Sequence, residues 1–137
     1  MLPPPESYRF PGVGQTFGYE RDARYAAIWL PALLVPGRQG VELTGDGRFV
    51  ARFGVLRLET PFGNIAGAHV SGPYRWWTAV GPRLSMVDDG LTFGTTNRGG
   101  VCVHFAAPVR RVIGRKDHSA LTVTVADKDG LVRALTG

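Results

Sequence analysis

The chain has a single cysteine, Cys102, among 137 residues. An intrachain disulfide is therefore excluded, and the paired-cysteine spacings of structural zinc sites are missing. Lysine is scarce as well, since 14 of the 16 basic residues are arginine. The shortage of acid leaves a net charge of +5, which permits acidic partners. The basic residues are scattered, however. No basic stripe interleaved with stacking aromatics occurs, which argues against nucleic acid as a partner. Long apolar runs are also lacking. The longest, Tyr25 to Val35, contains Pro31 and falls short of the roughly 20 residues that span a bilayer. Met1 to Tyr8 has no charged segment leading into an apolar one, so no signal peptide is expected. These absences lead to the expectation of a cytoplasmic protein with no transmembrane segment.

What is present reads as a globular chain. Hydrophobic residues make up 44% and charged residues 20%, enough apolar side chains for a proper core in one domain. The 19 glycines and 10 prolines are scattered without a period, so they punctuate many short elements. Residues 1–18 read as an extended Pro- and Gly-rich arm, with Tyr8, Phe10 and Phe17 as anchors. Residues 19–137 read as one β-barrel domain. Arg21 to Val35 is the best helical segment, with Asp22 as its cap. Pro31 should kink it, or end it near Trp29 or Leu30.

From Val41 onward the pattern changes to short apolar or alternating runs between turns. Strands are predicted at Val41–Thr44, Arg48–Phe53, Val55–Thr60, Ile65–Ser71, Tyr74–Ala79, Arg83–Val87, Leu91–Thr95, Gly100–Phe105 and Leu121–Val125. Consecutive hairpins of this kind predict an antiparallel barrel or sandwich. Asp127 to Leu135 predicts a short terminal helix, with Leu131, Val132 and Leu135 at helical spacing.

The run from Ala51 to Val70, with its aromatic-Gly turn at Phe53-Gly54 and a Pro-containing bend before Ile65, resembles the first hairpin of bacterial pleckstrin-homology-like domains. The terminal helix falls where that fold places its capping helix. The phrases Thr60-Pro61, Gly72-Pro73-Tyr74, Asp88 to Thr95, Gly100 to Phe105 and Leu121 to Asp127 are similar to an uncharacterised family of small proteins from GC-rich bacteria. The first resemblance implies a small β-barrel scaffold that binds headgroups, peptides or proteins. The paired basic residues of a phosphoinositide site are not evident, only Arg48, Arg52 and Arg57 being available. The second resemblance implies no activity. The fold expected is thus mainly β: a small antiparallel, pleckstrin-homology-like barrel with one N-terminal helical segment and a C-terminal capping helix.

Two places carry chemistry. Cys102 and His104 stand two apart in an apolar strand, so alternation puts both on the face opposite Val101, Val103 and Phe105. A thiol beside an imidazole is a nucleophile–base pair, or two ligands for a soft metal. A zinc site needs three or four ligands, and only His69 and His118 remain as further imidazoles. A small hydrophobic cysteine beside a hydrogen-bonded histidine is the preferred account of the pair. No metal and no cofactor is therefore expected. Asp88-Asp89-Gly90 reads as a turn, and Arg110, Arg111, Arg115 and Lys116 as a solvated loop.

The second place is Tyr74-Arg75-Trp76-Trp77. On a strand, Trp76 and Trp77 face opposite ways, and Trp, Tyr and Arg dominate interaction hot spots. The sequence therefore points to a non-enzymatic binding module that uses this patch against a protein partner or a second copy. A barrel carrying a small apolar or aromatic ligand and a thiol-dependent enzyme using Cys102 and His104 are the alternatives. The contact reading predicts that Trp76→Ala or Trp77→Ala changes oligomeric state or partner capture while the fold survives. Light scattering and pull-down that match wild type for both variants would remove it.

Overall fold

Short apolar runs between Gly-, Pro- and Asp-containing turns fold into strands because alternate side chains can then share one buried face. The computed structural model describes residues 14–73, 81–84, 90–112 and 117–136, with the backbone alone at 83 and 84. Among them, β1 (Thr16–Phe17), β2 (Gly40–Leu43), β3 (Arg48–Phe53) and β4 (Leu56–Pro61) form one antiparallel sheet in that order. The second sheet holds β5 (Ile65–Ser71), β6 (Gly81–Leu84), β7 (Leu91–Gly94), β8 (Gly100–Val109) and β9 (His118–Val123) in the order β5-β8-β9-β7-β6. The protein is mainly β, and neither sheet closes into a barrel. The pairing also departs from consecutive hairpins: β5 pairs with β8, and β7 pairs with β9 in parallel.

Both sheets contribute to one apolar core. Leu43, Phe49, Ala51, Phe53 and Leu58 belong to it from the first sheet, and Leu91, Phe93, Val101, Val103, Leu121 and Val123 from the second. Phe53 stacks on Phe93 at 5.7 Å between centroids, so an aromatic contact ties one sheet to the other. The Tyr19 ring meets Phe53 edge-on at 5.5 Å, and its hydroxyl donates to the Arg52 carbonyl at 2.6 Å. Burial pushes the Tyr19 phenol well above its ordinary pKa.

The inner end of the predicted arm is a strand. β1 pairs with β2 at Thr16↔Glu42 and Phe17↔Val41, and Phe17 enters the core. Residues 1–13, with Tyr8 and Phe10, lie outside the described residues. The helical segment forms as a 3-10 turn (Ala23–Tyr25) leading into α1 (Ala26–Leu33). Pro31 does not end α1 near Trp29 or Leu30, because later amides still find partners: Leu34 donates to Leu30 O at 3.1 Å and Val35 to Ala32 O at 3.2 Å. Trp29 is buried and its indole donates to the Asp22 carbonyl at 2.8 Å. That tertiary anchor outweighs the local penalty of the proline. At the other terminus, α2 (Lys128–Thr136) buries Leu131 and Ala134, and Asp127 accepts from the Gly130 amide at 3.0 Å as its cap.

Asp22 joins these parts. Its carboxylate accepts from the Arg24 guanidinium at 3.1 and 2.8 Å, from the Arg24 amide at 3.1 Å and from the buried Thr96 hydroxyl at 2.7 Å. The side chain is almost fully buried. The Arg24 hydrogen bonds, above all, hold its carboxyl well below the ordinary carboxylate value of 3.8. A folded-state pKa below the unfolded value stabilises the fold above pH 3.8 and loses that contribution as pH falls below it. Asp22→Ala should therefore destabilise the protein by about 1–3 kcal/mol at neutral pH, and the gap from wild type should narrow in strongly acidic solution. Urea unfolding of both proteins across that range checks it; a gap that stays constant with pH would show that the carboxylate charge is not what holds the segment.

Candidate functional site

Strand β8 is the central piece of the site. Val101, Val103 and Phe105 point into the core and are buried, which forces Cys102 and His104 onto the outer face of the sheet. The alternation expected for these residues is observed. Partner β5 runs antiparallel beside it in the register Val70↔Val101, His69↔Cys102, Ala68↔Val103 and Gly67↔His104. His69 therefore stands directly across from Cys102 on the same outer face.

Both ends of this pairing are held by specific contacts. At one end, Asn64 donates to the Ala107 carbonyl at 2.9 Å and accepts from the Ala107 amide at 2.8 Å. A side-chain amide thus takes the place of a ladder pair just before β5 begins. At the other, Gly72 adopts φ +110° and a Cβ there would sit 2.5 Å from Gly99 Cα. Only glycine permits that approach, which brings Ser71 and Gly100 into register.

Three donor side chains converge on the outer face. His69 Nδ1 lies 3.3 Å from His104 Nε2, and Cys102 Sγ lies 3.6 Å from the same nitrogen. All three donor atoms fall within 4.8 Å of one another. The two imidazoles stack at 5.1 Å between centroids and 18° between planes. His104 reaches His69 diagonally because its direct partner, Gly67, carries no side chain to intervene. Both histidines are exposed, and Cys102 is half-buried beside Thr122 and Ala120 of β9, which stand opposite Cys102 and His104.

Around one tetrahedral ion with nitrogens at about 2.0–2.1 Å and sulfur at about 2.3 Å, two nitrogens stand about 3.3–3.4 Å apart and nitrogen and sulfur about 3.5–3.6 Å. Two edges of the triangle therefore already have coordination spacing, at 3.3 and 3.6 Å. The third is no longer than 4.8 Å, within reach of a small side-chain rotation. The donor set, two imidazoles and a thiol, suits zinc or copper and not the oxygen-seeking calcium or magnesium.

The structure brings Cys102 and His104 together as the alternation predicts, and adds His69. His118, the other imidazole considered, is fully buried elsewhere and accepts from the Val112 amide at 3.1 Å. Tyr74, Arg75, Trp76 and Trp77 lie outside the described residues, as do Asp88, Asp89, Arg115 and Lys116. Two surface cavities, of about 380 and 430 Å³, lie beside β1 and are lined by other residues, among them Phe17, Arg38, Val50 and Arg52 for the first and Tyr19 and Asp127 for the second. No helix among the described residues is long and apolar enough to cross a membrane. No protein-family model, curated protein or solved structure matches the chain.

Because both imidazoles are exposed, His69→Ala and His104→Ala should each leave the unfolding free energy within about 0.5 kcal/mol of wild type. Chemical denaturation of the metal-free protein measures this. A loss above about 1.5 kcal/mol in either variant would assign the cluster a structural role instead.

Proposed function

We propose that this protein is a non-enzymatic binding module whose ligand is a transition-metal ion of the soft or borderline class, held by His69, Cys102 and His104. One observation carries the reading: three metal-ligating side chains from two paired strands present their donor atoms within 4.8 Å of one another. Two of them stand on β8 and one on β5, so rigid elements and not loops set the spacing. Binding is favoured over catalysis because the cluster sits on an open sheet face with two exposed members. An enzyme ordinarily encloses its substrate, whereas His69 and His104 are both exposed. The pleckstrin-homology-like resemblance enters this reading only as a scaffold; its support is the antiparallel run β2–β4 and the helix that follows the last strand.

An ion that binds only the folded state stabilises it by mass action, by about 2.7 kcal/mol at a free concentration 100 times Kd. For a chain of this length the corresponding rise in Tm is about 9 °C. Titration of the reduced protein with Co(II), Zn(II) and Cu(I) should give one equivalent bound and a matching rise in Tm. His69→Ala, Cys102→Ser and His104→Ala should each weaken the binding and reduce the rise in Tm. Binding of the same stoichiometry and strength in all three variants would overturn the assignment, as would no binding by wild type.

A further inference from the structure

Three donors leave a choice of ion, and the surroundings of the cluster decide it. We propose that the ion is monovalent copper, held in a three-coordinate site and exchanged from the solvent side; this rests on the metal-binding reading above. Among the described residues, no carboxylate, further cysteine or further histidine joins the three. Zinc favours four ligands and would have to complete its shell with water facing bulk solvent. Cu(I) is a soft ion that a thiolate selects, and three ligands satisfy it.

Charge points the same way. One thiolate and one monovalent ion make a neutral complex. A divalent ion leaves one positive charge unbalanced beside the half-buried Cys102, with no acidic side chain in the cluster to offset it. The divalent copper ion is disfavoured by its chemistry. Each Cu(II) can take one electron from one Cys102 thiolate, so that two ions become Cu(I) and two chains join through a Cys102–Cys102 disulfide. Trigonal sites of two histidines and one cysteine that retain Cu(II) carry a weak axial ligand. Here both histidines are exposed, and among the described residues no further His, Cys, Asp or Glu joins the cluster.

The exposure that makes this a poor redox centre makes it a good exchange site. With the sheet below and solvent above, an incoming thiol or imidazole on a partner can approach the ion from the open side. Ligand exchange then proceeds without opening the core.

The test compares two ions on the same reduced protein. Bicinchoninate competes for Cu(I), a chromophoric chelator competes for Zn(II), and X-ray absorption counts the ligands. Cu(I) is expected to bind on the order of 10³-fold tighter than Zn(II), with two nitrogens and one sulfur around it. Cys102→Ser should lower the Cu(I) affinity by more than it lowers the Zn(II) affinity, and far-ultraviolet circular dichroism confirms that the variant is folded. Zn(II) binding as tight as Cu(I), or a four-coordinate Cu(I), overturns this proposal and leaves the metal-binding reading standing. A stable Cu(II) form with an intense sulfur-to-copper band overturns the exchange reading in favour of electron transfer. Failure of every ion to bind removes both proposals.

Discussion

Pairing of β5 with β8 is the constraint on which the rest depends. Strand β8 is bonded on both sides, to β5 and to β9, and its inner face supplies Val101, Val103 and Phe105 to the core. A shift of one residue in its register would expose these three and bury Cys102 and His104. The apolar core therefore fixes the outer face as firmly as the inner one. The three donors need no dedicated scaffold, because they ride on a register that burial already enforces. Asn64 at one end and the Gly72–Gly99 approach at the other hold the pairing.

A second set of polar contacts closes the molecule where the sheets alone do not. The segment after β1 continues past β9: Tyr19 bridges Val125, Glu20 donates to Thr124 O at 2.8 Å, and Ala126 donates to Gly18 O at 3.0 Å. The Thr95 hydroxyl donates to the Glu20 carbonyl, and its amide donates to Thr124 Oγ1 at 2.8 Å. Lys128 reaches Glu20 at 2.9 Å. Asp22 then anchors the start of the helical segment to Thr96. Buried polar groups here are matched donor to acceptor, the condition under which a network holds a fold in place.

Local order was legible in the sequence. Strands at Arg48–Phe53 and Ile65–Ser71, the helix after Asp127 and the outward pairing of Cys102 with His104 all follow from alternation, turn residues and caps. What is not local was not legible. Hairpin logic pairs each strand with its neighbour in sequence, yet β5 skips to β8, and His69 joins Cys102 across that skip. Its sequence separation from His104 is 35 residues, and no periodicity spans such a gap. Gly67 and Gly72 were the available signals, since a glycine inside or just beyond a strand often marks a close approach. The continuation of α1 past Pro31 was not legible for a similar reason: Trp29 is buried in the core, and that packing does not show in the local pattern.

The order β5-β8-β9-β7-β6 also governs how the molecule is assembled. The strand between β7 and β8 in space is β9, the last of the described strands in sequence. β7 and β8 therefore cannot join the same sheet until β9 has been made and inserted between them. During synthesis the first sheet can zip as soon as β4 emerges, because its strands pair in sequence. The second remains incomplete until β9 has emerged. Non-local pairings must close long loops before they gain contacts, which places folding of such topologies roughly in the millisecond-to-second range. In the interval the apolar faces of β5, β7 and β8 stand uncovered, so it is the nascent chain, more than the finished protein, that needs protection from aggregation.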